Sequence, residues 1–202
     1  MRTSARKRSV LFIGDTSPWS RLAAEHLRDV FDHVTVLLWD YGDPPPRVHE
    51  EWHGDHIFTF KADLVLKPET LGRAAVSALN FHPATPQFRG VGGYDFVLRQ
   101  GGTEFGATSH HIVPRLDAGP IVKVNRFPIV PGESAASLSA RTAAHCLVLF
   151  YEVIGMIANE HELPLSDEQW GERLYTRAML RRLHATKETT AKEATTTTEE
   201  RS

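Results

Sequence analysis

The chain has 202 residues, 41% of them apolar and 24% charged, with a formal net charge of −2 at pH 7. That length suits one domain with a substantial core, while the near-neutral charge lacks the basic excess of a dedicated nucleic-acid binder. No apolar run approaches the roughly 20 residues of a membrane span, and a lone cysteine, Cys146, excludes an internal disulfide framework and fits a reducing cytoplasm.

The start, MRTSARKRSVLFIGD, is basic and then briefly apolar. Its apolar piece is shorter than the roughly 7–15 residues of a secretory core region, and no small-residue cleavage site follows. Residues 1–8 therefore read as a flexible basic N-terminus, with Val10 to Ile13 a first buried strand. Leu22, Ala23, Leu27 and Val30 recur at helical spacing, which predicts a helix over 17–30. The run HVTVLLW at 33–39 is a second buried strand, so the first 39 residues form a βαβ unit. After the breaker DYGDPPP, HIFTF at 56–60 is a third strand, 68–77 a helix, and 78–81 a fourth strand. Then come a short helix over 94–99, strands over 105–113 and 121–127, and a long helix over 133–159 holding Cys146 as a small core residue. The pattern predicts an α/β fold: a doubly wound, mostly parallel, Rossmann-like sheet with helices on both faces. Residues 9–183 form one domain in this reading. Residues 184–202 end in KETTAKEATTTTEERS, which has no apolar residue beyond alanine and is expected to be disordered. The basic clusters Arg2 to Arg8 and Arg177 to Arg182 read as solvated terminal charge.

Two familiar signatures fail on context. HEEWH at 49–53 matches the HExxH pattern of zinc peptidases, which works only where one helix face presents both imidazoles. Three prolines stand just upstream and Gly54 follows at once, leaving room for at most about two turns, so no metal site is expected. The turn GDTSPW after the first strand lacks the spaced glycines of a dinucleotide site. There is also no G-x-S-x-G elbow, so no covalent nucleophile presents itself and the chemistry expected is direct transfer.

The stretch LNFHPATPQFRG at 79–90 is more informative. Asn80 and His82, two apart on an extended strand, point to one side at its carboxyl end, where open α/β sheets bind ligands. Pro83 restricts His82 to extended geometry. An amide and an imidazole side by side suit a developing oxyanion; the plainer alternative is that His82 caps the strand and Asn80 satisfies loop backbone. Asp117, in the turn RLDAGPIV, is ordinary turn chemistry alone, but beside an imidazole it would hold that ring charged and oriented.

The segments ALNFHPATPQFRGVGG, FGATSHHIV and LDAGPIV, in that order, resemble the core signature of folate-dependent formyltransferases. That family includes enzymes acting on glycinamide ribonucleotide, methionyl-tRNA and amino sugars. The resemblance spans roughly residues 55–150. It implies that Asn80, His82 and Asp117 are the catalytic trio and that N10-formyltetrahydrofolate is the formyl donor. It also implies a pterin pocket lined by Phe60, Lys61, Ala62 and Asp63 on one side, and by Leu116, Gly119 and Ile121 on the other, largely through backbone. By the same resemblance His110 is structural support, and His111 points away from the site. Only 43 residues follow Asn159 in the 202-residue chain, too few for the second domain usual in methionyl-tRNA enzymes. The chain is most similar to short bacterial sugar N-formyltransferases, implying as acceptor partner a nucleotide-linked amino sugar destined for surface polysaccharide. No nucleic-acid or membrane partner is expected, and a homodimer is admitted. Alternatives of other kinds are another amine acceptor, a formyltetrahydrofolate hydrolase, and the zinc peptidase. Elemental analysis of the purified protein should find no stoichiometric zinc; one zinc per chain would revive the peptidase.

Overall fold

The computed structural model describes residues 4–44, 46–47 and 51–186. Six strands form one sheet: β1 (Ser9–Gly14), β2 (His33–Leu38), β3 (Gly54–Phe60), β4 (Ala74–His82), β6 (Glu104–His111) and β7 (Ile121–Pro128). Their order is β2-β1-β3-β4-β6-β7, parallel from β2 to β4 and antiparallel for β4–β6 and β6–β7. The helices are α1 (Pro18–Val30), α2 (Pro68–Leu71), α3 (Gly93–Arg99) and α4 (Ala135–Ala158), with further helical turns over 177–186. The expected α/β, mostly parallel sheet is therefore present.

Side chains two apart along each strand divide the sheet into two faces. One face carries Phe12, Phe58, Phe60 and Phe81, all fully buried. The ring of Phe150 on α4 meets all four edge-on, with centroids 5.9, 6.4, 5.6 and 4.6 Å away respectively. α4 is long and apolar enough to cross a membrane by length and composition, but half of its most apolar window is buried. That burial, against the sheet and α1, makes it a core helix. Ser134 starts it, its hydroxyl accepting the Ser137 N–H at 3.1 Å.

The opposite face carries Leu11, Ile13 and Ile57, covered by Leu66 and by half-buried Trp52, Leu64 and Leu71. Cover here is a loop and a single helical turn, so the two faces are unequally wound. The predicted helix over 68–77 stops at Leu71 and β4 begins at Ala74 rather than residue 78. Gly54 N–H bonds to the Arg73 carbonyl at 3.2 Å and Gly54 pairs with Ala74, so sheet pairing overrides the helix propensity of the alanine-rich run.

Two features had no sequence signal. Arg89–Gly90 (β5) and Leu174–Tyr175 (β8) pair in a parallel two-stranded sheet, apart from the main one. The expected flexible N-terminus is instead held from residue 4 onward: Ser4–Lys7 form a 3-10 turn, Ala5 is buried, and Arg6 bonds Asp32 at 2.9 Å. Among the basic cluster at 177–182, Arg177 is an ion-pair partner of Asp63 rather than free charge. His49 of the HEEWH stretch and the tail beyond residue 186 lie outside the described residues. Trp52 and His53 of that stretch are non-helical.

His56 lies in the core beside Arg8 and Ser77. Arg8 can only donate, so Nε2 of His56 accepts (3.4 Å) and its Nδ1–H donates to Ser77 Oγ at 2.8 Å. Burial, then the Arg8 charge, push the His56 pKa down from 6.5 to about 4, against a smaller opposing pull from Asp55. The unfolded chain thus takes up a proton before the folded one. The stabilisation is complete above pH 6.5 and is lost as pH falls towards 4, by about 3 kcal/mol. Urea denaturation of the wild type and His56→Leu between pH 7 and pH 4 should show the variant losing less stability by roughly that amount; parallel losses would refute the assignment.

Candidate active site

The register of three strands builds the site. Thr59 on β3 pairs with Asn80 on β4, and Asn80 with His110 on β6, so the three side chains form one row on the face away from Phe150. Hydrogen bonds run along that row. The Thr59 hydroxyl donates to Asn80 Oδ1 at 2.7 Å, and Asn80 Nδ2 donates to His110 Nε2 at 3.0 Å. His110 Nδ1–H is in turn committed to the His111 carbonyl at 2.9 Å. Thr59 therefore sets which way the Asn80 amide faces.

His82 occupies the next outward position of β4, beside Thr108 of β6. Its Nε2–H donates to the Phe88 carbonyl at 2.9 Å, which turns Nδ1 towards Asp117 Oδ2, 3.7 Å away. Asp117 is brought in by the loop between β6 and β7. Its Oδ1 lies 3.4 Å from both Asn80 Nδ2 and His110 Nε2, while Oδ2 accepts the Gly90 N–H at 2.7 Å. The residue is 4% exposed and sits at φ +42°, a left-handed conformation uncommon outside glycine. Burial alone would raise its pKa. The charge of His82, the hydrogen bond and charge of His110, and the Gly90 N–H together outweigh burial and hold the carboxyl well below the usual range. Three segments far apart in sequence thus meet at one carboxylate.

Two cavities share this wall. One of about 50 Å³ lies against Asn80, His110, Leu116 and Asp117, and the other, of about 530 Å³, against Asn80, His82 and Asp117. Of the seven residues expected around the pterin, Ala62 and Leu116 line both. Lys61 and Asp63 line only the larger: Lys61 Nζ pairs with Asp15 at 2.7 Å, and Asp63 pairs with Arg177. Phe60, Gly119 and Ile121 line neither cavity. The strand alternation that aims Thr59 at the site sends Phe60 into the phenylalanine cluster. Gly119 is packed so tightly that a Cβ would lie 1.9 Å from the His111 carbonyl.

The missing glycines of GDTSPW have a physical counterpart. The Asp15 carboxylate accepts the Ser17 N–H at 3.2 Å, the hydroxyls of Ser17 and Ser20, and Lys61. These partners outweigh burial and lower its pKa. At the start of α1, where such folds hold a phosphate, the chain places its own carboxylate.

His110, expected as structural support, bonds Asn80 and faces Asp117. Thr59, Arg89 and Trp170 went unnoticed. Trp170 donates its indole N–H to the Gly119 carbonyl at 2.7 Å and lies edge-on to His110 at 4.8 Å between centroids. Cys146 is buried, and burial raises its thiol far above neutrality, consistent with a core role. Among the described residues no group of three or more His, Cys, Asp or Glu side chains is placed to hold a metal ion.

The profile of the formyl transferase family matches residues 48–154, more than half of the chain, and the chain belongs to that family. A methionyl-tRNA formyltransferase from Rhodopirellula baltica is 28% identical over 159 residues, covering 63% of this chain and 48% of its own. The chain thus spans about half the length of that curated relative. Among solved structures, an N-formyltransferase from Helicobacter canadensis, complexed with folinic acid and dTDP-3-aminofucose, superposes with a TM-score of 0.70 at 20% identity, over 85% of this chain and 71% of its own. HypX from Aquifex aeolicus in complex with tetrahydrofolic acid superposes with a TM-score of 0.64 at 19% identity, over 85% of this chain and 30% of its own. At these identities the structural likeness establishes the fold.

Replacing Thr59 with valine leaves the Asn80 amide oxygen without its hydroxyl donor. Urea denaturation is expected to show a loss of about 0.5–1.5 kcal/mol, the net worth of one part-buried hydrogen bond; an unchanged midpoint would show that Thr59 does not orient the amide.

Proposed function

We propose that the protein transfers a formyl group from N10-formyltetrahydrofolate to the primary amine of a small acceptor, and that this acceptor is a nucleotide-linked amino sugar. The observation that carries the reading is that Asn80 and Asp117 form the wall between the two cavities. A two-substrate transfer needs reactive groups reachable from both sides, and proximity alone supplies much of the rate. Ala62 and Leu116, expected beside the pterin, line both cavities, and the cleft of about 530 Å³, which Lys61 and Asp63 also line, has the size of a small-molecule site. Folate derivatives bound to the Helicobacter canadensis and Aquifex aeolicus proteins support the donor, and the amino sugar in the former supports the acceptor. The methionyl-tRNA relative favours a different acceptor, but the chain covers only 48% of it.

In this mechanism the neutral amine attacks the formyl carbon and its new C–N bond forms as the carbonyl electrons move onto oxygen. The Asn80 Nδ2–H held only loosely by Asp117, at 3.4 Å, turns to that oxyanion, and the His82 imidazolium Nδ1–H donates to it as well. Asp117 keeps His82 charged and accepts the proton of the attacking amine. The intermediate then collapses, the bond to N10 breaks, and N10 leaves with a proton, so that one amine proton is exchanged for one formyl group. Each oxyanion donor contributes about 2–4 kcal/mol. No metal participates in this scheme. The lone buried thiol of Cys146 is in keeping with the cytoplasmic location included in the reading.

Incubation with N10-formyltetrahydrofolate and a panel of nucleotide-linked amino sugars should add one formyl group to at least one of them, detected by mass spectrometry. Formate release without any acceptor gain would replace the transferase with a hydrolase. Asn80→Ala and His82→Ala should each lower kcat by about 10²–10³-fold while folate binding is largely retained. Near-normal turnover in either would remove that residue from the mechanism.

A further inference from the structure

Arg89 takes no part in the chemistry above, yet it is a cation only 4% exposed, held next to the site. Burying a charge is costly unless every donor is matched. Arg89 meets four of its five N–H groups with main-chain carbonyls from two separate segments. On one side Nε donates to the carbonyl of Asp117 at 2.7 Å and Nη2 to that of Leu116 at 2.9 Å. On the other, Nη1 donates to the carbonyls of Gly171 at 3.3 Å and Glu172 at 3.5 Å. The first pair brackets the strained backbone of Asp117, and the next residue, Gly90, binds that same residue's carboxylate. Two consecutive residues therefore grip Asp117 by backbone and side chain at once.

The second pair reaches the segment that carries Trp170, whose indole bonds Gly119 and whose ring abuts His110 and His82. That segment also supplies β8. Tyr175 O accepts the Val91 N–H at 3.0 Å, and Gly90, at φ +89°, leaves room for the Tyr175 carbonyl where a Cβ would come within 2.2 Å. A lysine presents one compact charge and could not span both carbonyl pairs as the planar guanidinium fork does.

We propose that Arg89 is a positioning residue that couples the seating of the C-terminal segment 170–175 to the placement of Asp117, so that the carboxylate faces His82 and Asn80 only when that segment is docked. The inference rests on reading Asp117 as catalytic.

The test compares full-length wild type, Arg89→Lys, Arg89→Met, Asp117→Asn and the Arg89→Met/Asp117→Asn double variant. Both Arg89 variants should lower kcat about 10²-fold, the scale of a small misplacement of a reacting group, with a smaller change in KM for formyl-folate. Lysine should not rescue, and the Arg89→Met change should cost little more when Asp117 is already asparagine. A second readout needs no acceptor: imidazole nitrogen NMR of His82 and His110 across pH, with the Trp170 indole signal. In Arg89→Met, or in Arg89→Lys if the former does not fold, the two histidine titrations should move towards those of Asp117→Asn, and the Trp170 signal should shift. Wild-type kcat, full rescue by lysine, losses that add independently, or unmoved titrations would each overturn the coupling. Absence of formyl transfer by the wild type would instead sink the function proposed above, while the NMR comparison still decides the role of Arg89.

Discussion

The site depends on keeping one carboxylate ionised where water hardly reaches it. A buried anion is tolerable only if surrounding donors replace its hydration. Asp117 obtains them from the Gly90 N–H, the Asn80 amide and the imidazole of His82. Each of those partners is constrained in turn. Gly90 must be glycine to admit the Tyr175 carbonyl, Asn80 is oriented by Thr59, and His82 by the Phe88 carbonyl. Asp117 itself adopts φ +42°, held by the Arg89 guanidinium on the peptide groups beside it. The strain of a left-handed aspartate is stored at the site and sustained by bonds from the surrounding loops.

The same sheet divides its two faces between stability and chemistry. Parallel register brings Phe12, Phe58, Phe60 and Phe81 beneath Phe150, and the alternate positions bring Thr59, Asn80 and His110 into a row. A slip of one residue in β4 would exchange the two faces, placing Asn80 and His82 in the phenylalanine core. The aromatic cluster therefore enforces the register on which the polar row relies. Rigid central strands hold the amide and imidazole, while the carboxylate arrives on a loop braced from outside the sheet.

Family membership and acceptor identity lie at different levels of this structure. The fold superposes on proteins as different as an N-formyltransferase and HypX, so the shared fold leaves the acceptor undetermined. At the rim of the larger cleft Arg177 stacks over Tyr41 at 3.6 Å and pairs with Asp63. That rim joins the loops after β2 and β3 to the helical turns over 177–186. At the start of α1 the Asp15 carboxylate accepts the Ser17 N–H and the Lys61 ammonium.

The sequence by itself determined the alternating strand and helix pattern, the family, and the three polar residues that converge. The pattern was legible because periodicity is a local property, Asn80 and His82 because two positions apart on a strand share a face, and the family and Asp117 only through the resemblance of three ordered motifs. It failed where a distant segment decided the local outcome. The helix expected over 68–77 became strand because Gly54 supplied a pairing partner for Ala74, and the basic N-terminus is held because Asp32 captures Arg6. Only the tertiary structure placed Arg89, Thr59 and Trp170 around the site. Arg89 works through carbonyls that every residue possesses, Thr59 through the register of a neighbouring strand, and Trp170 through a segment more than fifty positions from Asp117. Contacts to backbone and across strands leave no spacing for a sequence to display.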